Sequence, residues 1–359
     1  MEDLIPNFLK QHRLTIAGFI GLYLHGLIVA TPGAFLSKWM LAFDNEVNLG
    51  TFYTSFLLSS LVGLFLVSQR EKRHPFFALS FATIGVAFAV ASFSSEFGGI
   101  SGAAFPIGFG DGILNFQCNN LLGELHPKRR IILLNWANAT FGLGALTTPI
   151  LSIFLPWRVS FLLVSALALS SILLAWNAPS VWNYAPNRDI MPWKQASPFW
   201  LVILLYVGLE SSLGTWSGTY LRSVGWSNIQ SSAMLSIYWV GLTLGRLNLG
   251  IWVNPKPMPR LRLLLLVGVV VLSLTFIPSF GLFFAGAAFV YGPVFATIFA
   301  LLQERCGHVA LGYLFYAAYI GKTITPALLE HIENPSYLPY GFLGLALLLY
   351  LMSYQIPTR

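Results

Sequence analysis

The sequence predicts an all-α membrane protein of twelve transmembrane helices in two six-helix halves, and three observations carry that expectation. Only 9% of the residues are charged and 56% are hydrophobic, whereas soluble domains carry about 25% charged residues. Apolar runs of roughly 20 residues, enough to cross a hydrocarbon core about 30 Å thick, recur along the whole chain. Short motifs also recur at nearly one offset between the two halves. The first two observations exclude a soluble globular domain.

Taken in order, the apolar runs place spans at roughly 14–34, 49–68, 75–94, 98–124, 131–154 and 157–176 in the first half. The second half gives roughly 198–221, 229–252, 262–279, 281–302, 308–329 and 337–354. Lysine and arginine sort cleanly across this count. Lys10, Arg13, Arg70, Lys72, Arg73, Lys128, Arg129, Arg130, Arg188, Lys194, Lys256, Arg260, Arg262, Arg305 and Arg359 fall on one side, and Lys38, Arg158 and Arg222 on the other. The basic excess marks the cytoplasmic side, so both termini are expected there. This accounts for the net charge of +7 without a nucleic-acid partner. The stretch Met1 to Arg13 lacks the short apolar core and small-residue cleavage site of a signal peptide, so the first run is expected to remain as a span.

The longest polar interruption, 177–197, contains Pro179, Pro186 and Pro192 and reads as a cytoplasmic linker. It separates an expected N-terminal bundle, 1–176, from a C-terminal bundle, 198–359. The repeat supports this cut. Val62-Gly63-Leu64 recurs as Val240-Gly241-Leu242, and Gly144 to Pro149 recurs as Gly321 to Pro326, at offsets of about 178 and 177 residues. Gly142, Gly144, Gly241 and Gly245 have the spacing that lets helix backbones approach closely. Six-plus-six repeats of this kind are a transporter layout with a site near the midplane. Cys118 and Cys306 lack metal-ligand spacing and a disulfide-forming setting; no metal or cofactor is expected.

The fourth span carries the most expensive residue. Residues four apart share a helix face, so Asp111, Asn115 and Asn119 form one polar stripe. A carboxylate at mid-membrane costs about 2.5–3.5 kcal/mol even on lenient insertion scales. Burial favours the neutral form of such an acid, which suits a proton-binding role. The competing reading is an acid tied to neighbouring amides as a structural brace.

Four stretches resemble the major facilitator superfamily, and within it the fucose-permease-like branch of sugar symporters. They are Gly108, Gly110, Asp111 and Asn115 in the fourth span; Leu134-Asn135-Trp-Ala-Asn138 through Phe141-Gly142 to Pro149, followed by Trp157-Arg158; Tyr206-Val-Gly208-Leu-Glu210 with Gly214, Trp216, Tyr220 and Leu221; and Trp239-Val-Gly241 through Gly245-Arg246 to Gly250. The sequence departs from its relatives at Asn138, where a histidine is common, and in Gln69 to Arg73, which lacks the Gly-x-x-x-Asp frame. The resemblance implies the major facilitator fold and alternating access, and it places the proton- and sugar-linked carboxylate at Asp111.

Other polar residues divide between function and scaffold. His25 lies near the centre of span one, and an imidazole, whose reference titration is at about pH 6.5, is the side chain suited to a proton relay, although a histidine bonded to backbone is also common. Glu210 reads as a proton or hydroxyl ligand, or as the partner of Lys322, which stands where the first repeat has Ala145. The resemblance makes spans seven and eleven neighbours. Asn115, Asn119 and Asn135 offer hydrogen bonds to a solute, but amides also join membrane helices. Trp136, Trp216, Tyr220 and Trp239 could stack on a sugar, or belong to the interfacial aromatics. Arg158 and Arg246, near span ends, read as latches.

The expectation is therefore a monomeric, non-enzymatic secondary transporter in the lipid bilayer. Its solute is a small polar molecule, a monosaccharide first, moved with protons or sodium. The alternative within the class is a proton-driven exporter of amphipathic compounds.

Overall fold

The computed structural model describes residues 8–43, 47–181 and 193–358. Arg188, Arg359, the residues before Phe8 and most of the 177–197 linker lie outside the described residues. Every regular element among those described is helical. In the first part of the chain they are α1 (Phe8–Ala42), α2 (Leu49–Ser68), α3 (Phe76–Ser92), α4 (Phe97–Leu125), α5 (Arg130–Phe154) and α6 (Trp157–Ala175). The remainder are α7 (Trp193–Ser223), α8 (Asn228–Val253), α9 (Pro257–Leu274), α10 (Phe283–Tyr291), α11 (Val294–Glu330) and α12 (Leu338–Met352).

The helix starts follow local chemistry. Asn48 accepts a hydrogen bond from the Thr51 amide at the start of α2, at 3.1 Å. Ser227 and Gln230 form a reciprocal capping box at the start of α8, with bonds of 2.9 and 3.2 Å, which satisfies two otherwise orphaned donors.

Eight segments of the described chain are long and apolar enough to cross a membrane, fewer than the twelve expected. The shortfall has a local cause at each place. Helix α3 is apolar but has 17 residues. Polar residues dilute α4 (Asp111, Gln117, Asn119, Asn120) and α8 (Gln230, Ser231, Arg246, Asn248). The stretch Phe283–Leu329 reads as one apolar run of 47 residues, where two spans were expected. Its course is interrupted twice: α10 ends at Tyr291, and α11 departs from helical geometry at Gly307, with φ 76° and ψ −174°. Glycine lacks the Cβ that makes positive φ costly, so the chain turns there between helical stretches 294–306 and 308–330.

The helices sort into two compact units, one of Met1–Pro127 with Thr140–Trp182 and one of Lys128–Ala139 with Asn183–Arg359. In the first, α4 packs on α1, α2 and α3, and α6 packs on α1 and α3. In the second, α10 packs on α8 and α9, α12 on α7 and α9, and α11 on α7. The sequence repeat reappears as matched contacts. A Cβ at Gly63 would collide with the Phe109 carbonyl on α4, and one at Gly241 with the Ala285 carbonyl on α10. Likewise Gly144 sits against the Tyr23 carbonyl on α1, and Gly321 against the Leu204 carbonyl on α7. Each recurring glycine marks a place where two helix backbones touch without a side chain between them.

Candidate functional site

In the first unit the polar centre is a pair. His25 Nδ1 lies 2.7 Å from Asp111 Oδ1, joining α1 to α4 across 86 residues of sequence. With Asp111 ionised, Nδ1 carries the hydrogen and donates it, because a carboxylate only accepts. The Asp111 side chain is 0% exposed and that of His25 15%. The second carboxylate oxygen, Oδ2, is buried without a hydrogen-bond partner. The Phe141 ring of α5 lies beside the imidazole, with centroids 5.1 Å apart.

Small residues hold this pair in place. On α4, Gly108 and Gly112 lie against the Phe56 and Ser60 carbonyls of α2, and Gly110 against the Ser80 carbonyl and Ile84 of α3. On α1, Gly21 lies against Leu114 and Cys118 of α4. The glycines flanking Asp111 therefore do structural work: they bring α2 and α3 into backbone contact and turn Asp111 toward α1. Cys118 and Cys306 are both free and buried.

The predicted amides satisfy themselves largely within their own helices, as groups out of reach of water must. Asn119 donates to the Asn115 carbonyl and to Asn115 Oδ1, at 2.9 and 3.0 Å. Asn135 donates to the Ile131 carbonyl at 2.8 Å, and its Oδ1 is buried without a partner. Asn138 donates to the Leu134 carbonyl at 2.9 Å.

The aromatic candidates divide similarly. Tyr220 is buried, and its hydroxyl donates to the Thr275 carbonyl at 2.7 Å. Trp216 donates to the Pro326 carbonyl at 3.0 Å, and the more exposed Trp136 to the Leu247 carbonyl at 3.2 Å. Trp239 is half-buried beside Tyr238, with rings 5.3 Å apart.

The second unit has its own charged centre. Glu210, read from the sequence as a solute or proton ligand or as a partner of Lys322, pairs with Arg246 of α8, with Nη2 3.4 Å from Oε1. Arg246 also donates from Nη1 to the Asn138 carbonyl at 3.0 Å. Lys322 is an exposed residue of α11, whereas Arg246 is buried. Tyr238 donates to the Glu210 carbonyl at 3.0 Å. Tyr206, Tyr238 and Tyr291 line a narrow crevice with Glu210, and the Tyr291 hydroxyl is buried without a hydrogen-bond partner. Sequence reasoning placed Arg246 among the latches and missed this acid–base centre. The Gly245-Arg246 pair inside an apolar helix was the signal, since a charge at that depth needs a partner.

A second missed feature lies at the loop side of the first unit. Arg73, read as one more charge in a basic loop, is 0% exposed and forms an ion pair with Glu124, itself 2% exposed, at 2.8 Å. It also donates to Gln117 Oε1 at 3.1 Å and to the Pro179 and Ser180 carbonyls at 3.3 Å. This single side chain ties the start of α3 to α4 and to the segment leaving α6.

Comparison with known proteins agrees with this architecture. The profile described as Major Facilitator Superfamily matches residues 15–326. Bypass of stop codon protein 6 of Saccharomyces cerevisiae is 28% identical over 183 residues, covering 40% of this chain and only 37% of that protein's length. Among solved structures, FucP in its outward conformation superposes with a TM-score of 0.75 at 14% identity, covering 96% of this chain and 98% of that one. The human organic anion transporter MFSD10 (TETRAN) gives 0.73 at 17% identity, covering 97% and 100%. A variant of the E. coli fucose:proton symporter FucP gives 0.74 at 14% identity, again covering 96% and 98%. At these identities the structures report a shared fold, while the family profile spans most of the chain: this multi-pass membrane protein belongs to the Major Facilitator Superfamily.

Proposed function

We propose that this chain is a proton-coupled secondary transporter of a small hydroxylated solute, a monosaccharide in the first instance, with Asp111 as the coupling carboxylate. The observation that carries this reading is the wholly buried Asp111 bonded to His25 at 2.7 Å. A neutral imidazole with an ionised carboxylate holds one negative charge in a medium where charge is costly. Adding one proton makes the pair neutral and lowers the cost of reorienting the helices around it. The fold shared with a fucose:proton symporter supports the solute class. Asn115, Asn119, Asn135, Trp136, Trp216, Tyr220, Trp239 and Lys322 are the proposed solute-facing side chains. Of these, Asn135 keeps a free buried acceptor. Glu210 is a second proton-linked candidate, held by Arg246.

This reading takes α3, α4 and α8 as membrane-crossing and counts 283–306 and 308–330 as separate spans, giving twelve with both termini cytoplasmic. The transporter acts as a monomer. Single-cysteine labelling from each side of the membrane checks the topology, and light scattering of the purified protein checks the oligomeric state.

The functional test uses proteoliposomes and radiolabelled monosaccharides, fucose included, with proton and sodium gradients imposed separately. Asp111→Asn is expected to abolish gradient-driven accumulation while sparing solute exchange across the membrane. Accumulation that survives in Asp111→Asn, or that follows sodium alone, sinks the proposal.

A further inference from the structure

Resting on Asp111 as the coupling carboxylate, we infer that His25 is the obligatory door through which a proton reaches it. Asp111 has no surface of its own, whereas the imidazole bonded to it is 15% exposed. The other approaches are closed by helix contact. Gly108 and Gly112 press on α2 backbone, Gly110 presses on α3 backbone, and Gly21 of α1 covers Leu114 and Cys118, about one and two turns further along α4. The groups placed against the pair are the Phe141 ring beside the imidazole and the Cys118 thiol, close enough to feel the Asp111 charge. Cys118 is itself wholly buried and opens no route to water.

The step follows from the two ring nitrogens. His25 Nδ1 donates its hydrogen to Asp111 Oδ1, which leaves Nε2 as the nitrogen able to meet solvent. A proton arriving at Nε2 makes the ring cationic. The Nδ1 proton then passes to Oδ1, leaving a neutral imidazole with its hydrogen on Nε2 and a neutral carboxylic acid. One proton has entered, and no other bond has changed. Release reverses the sequence, so the exposure of His25 sets the side of the membrane with which Asp111 exchanges. The orphaned Oδ2 stays outside this exchange.

The test reads the proton on Asp111 directly. Infrared spectra of the full chain in liposomes are followed after a pH jump, and Asp111→Asn identifies the carboxyl band. His25→Gln keeps a donor for Asp111 but cannot relay, and it is expected to slow protonation of Asp111 by roughly 100-fold, the lower end of what a positioned acid–base group contributes. In His25→Ala, added imidazole is expected to restore the rate, a rescue that a purely structural histidine would not show. An unchanged rate in a folded His25→Gln protein, or no rescue in a folded His25→Ala protein, overturns the inference. Because no solute is involved, failure here leaves the coupling role of Asp111 to be judged separately by the transport assay.

Discussion

The Arg73–Glu124 pair offers the sharpest test of how this fold is held. Glu124→Leu removes the carboxylate and leaves the guanidinium in place with no exposed surface. At 2.8 Å and an effective dielectric constant near 20, the lost attraction is about 6 kcal/mol. Part of that is offset, because Arg73 keeps its bonds to Gln117 and to the Pro179 and Ser180 carbonyls. Breaking one side of a buried pair costs about 3–5 kcal/mol in general, and the remaining acceptors place this case at about 3 kcal/mol. Reversible denaturant titration in mixed micelles, followed by tryptophan fluorescence, measures it. Arg73→Met combined with Glu124→Leu is expected to be more stable than Glu124→Leu alone, since no unpaired charge is left. A cost below ~1 kcal/mol for Glu124→Leu, the level of a surface ion pair, would refute the claim that Arg73 is a buried tie.

Three further outcomes follow from the same geometry. Glu210→Gln leaves Arg246 with one charge partner fewer and should destabilise by about 2–3 kcal/mol, less than a fully sealed pair because Glu210 is partly exposed; the same titration reads it, and a change under ~0.5 kcal/mol would show that Arg246 does not depend on Glu210. Gly144→Ala and Gly321→Ala each push a methyl group into a neighbouring helix carbonyl and should each cost about 1–3 kcal/mol, whereas Gly344→Ala, with open space at its Cβ, should be neutral or stabilising by up to ~1 kcal/mol. Burial, and then the charge of His12, hold the His126 imidazole below its ordinary titration. Its neutral form is therefore favoured by folding, and stability falls as pH drops below about 6.5; His126→Gln should flatten that acid-side slope in a pH series of melts.

Much of the architecture was legible in local chemistry. The ends of α2, α4, α5, α6 and α8 lie within two residues of the expected edges, because apolar runs, prolines and capping residues act over one or two turns. The tenth span was less legible. Its helix stops at Tyr291, just before Gly292-Pro293 and well inside the expected 281–302 span. The repeat could be read as recurring glycines, but their purpose appeared only as carbonyls packed against them.

At the candidate site the division is sharper. Sequence alone identified Asp111, His25 and Glu210 as costly residues at membrane depth, since the price of burying a polar group depends on residue type and apolar surroundings. It could not choose their partners. His25 meets Asp111 across 86 residues, Glu210 meets Arg246 across 36, and Arg73 leaves its loop to meet Glu124. Such choices depend on how each helix is rotated and how closely it approaches its neighbours. Backbone contacts at Gly63, Gly112 and Gly144 show where that approach is closest. Periodicity along one helix carries no information about that rotation; it emerges only when the helices pack together.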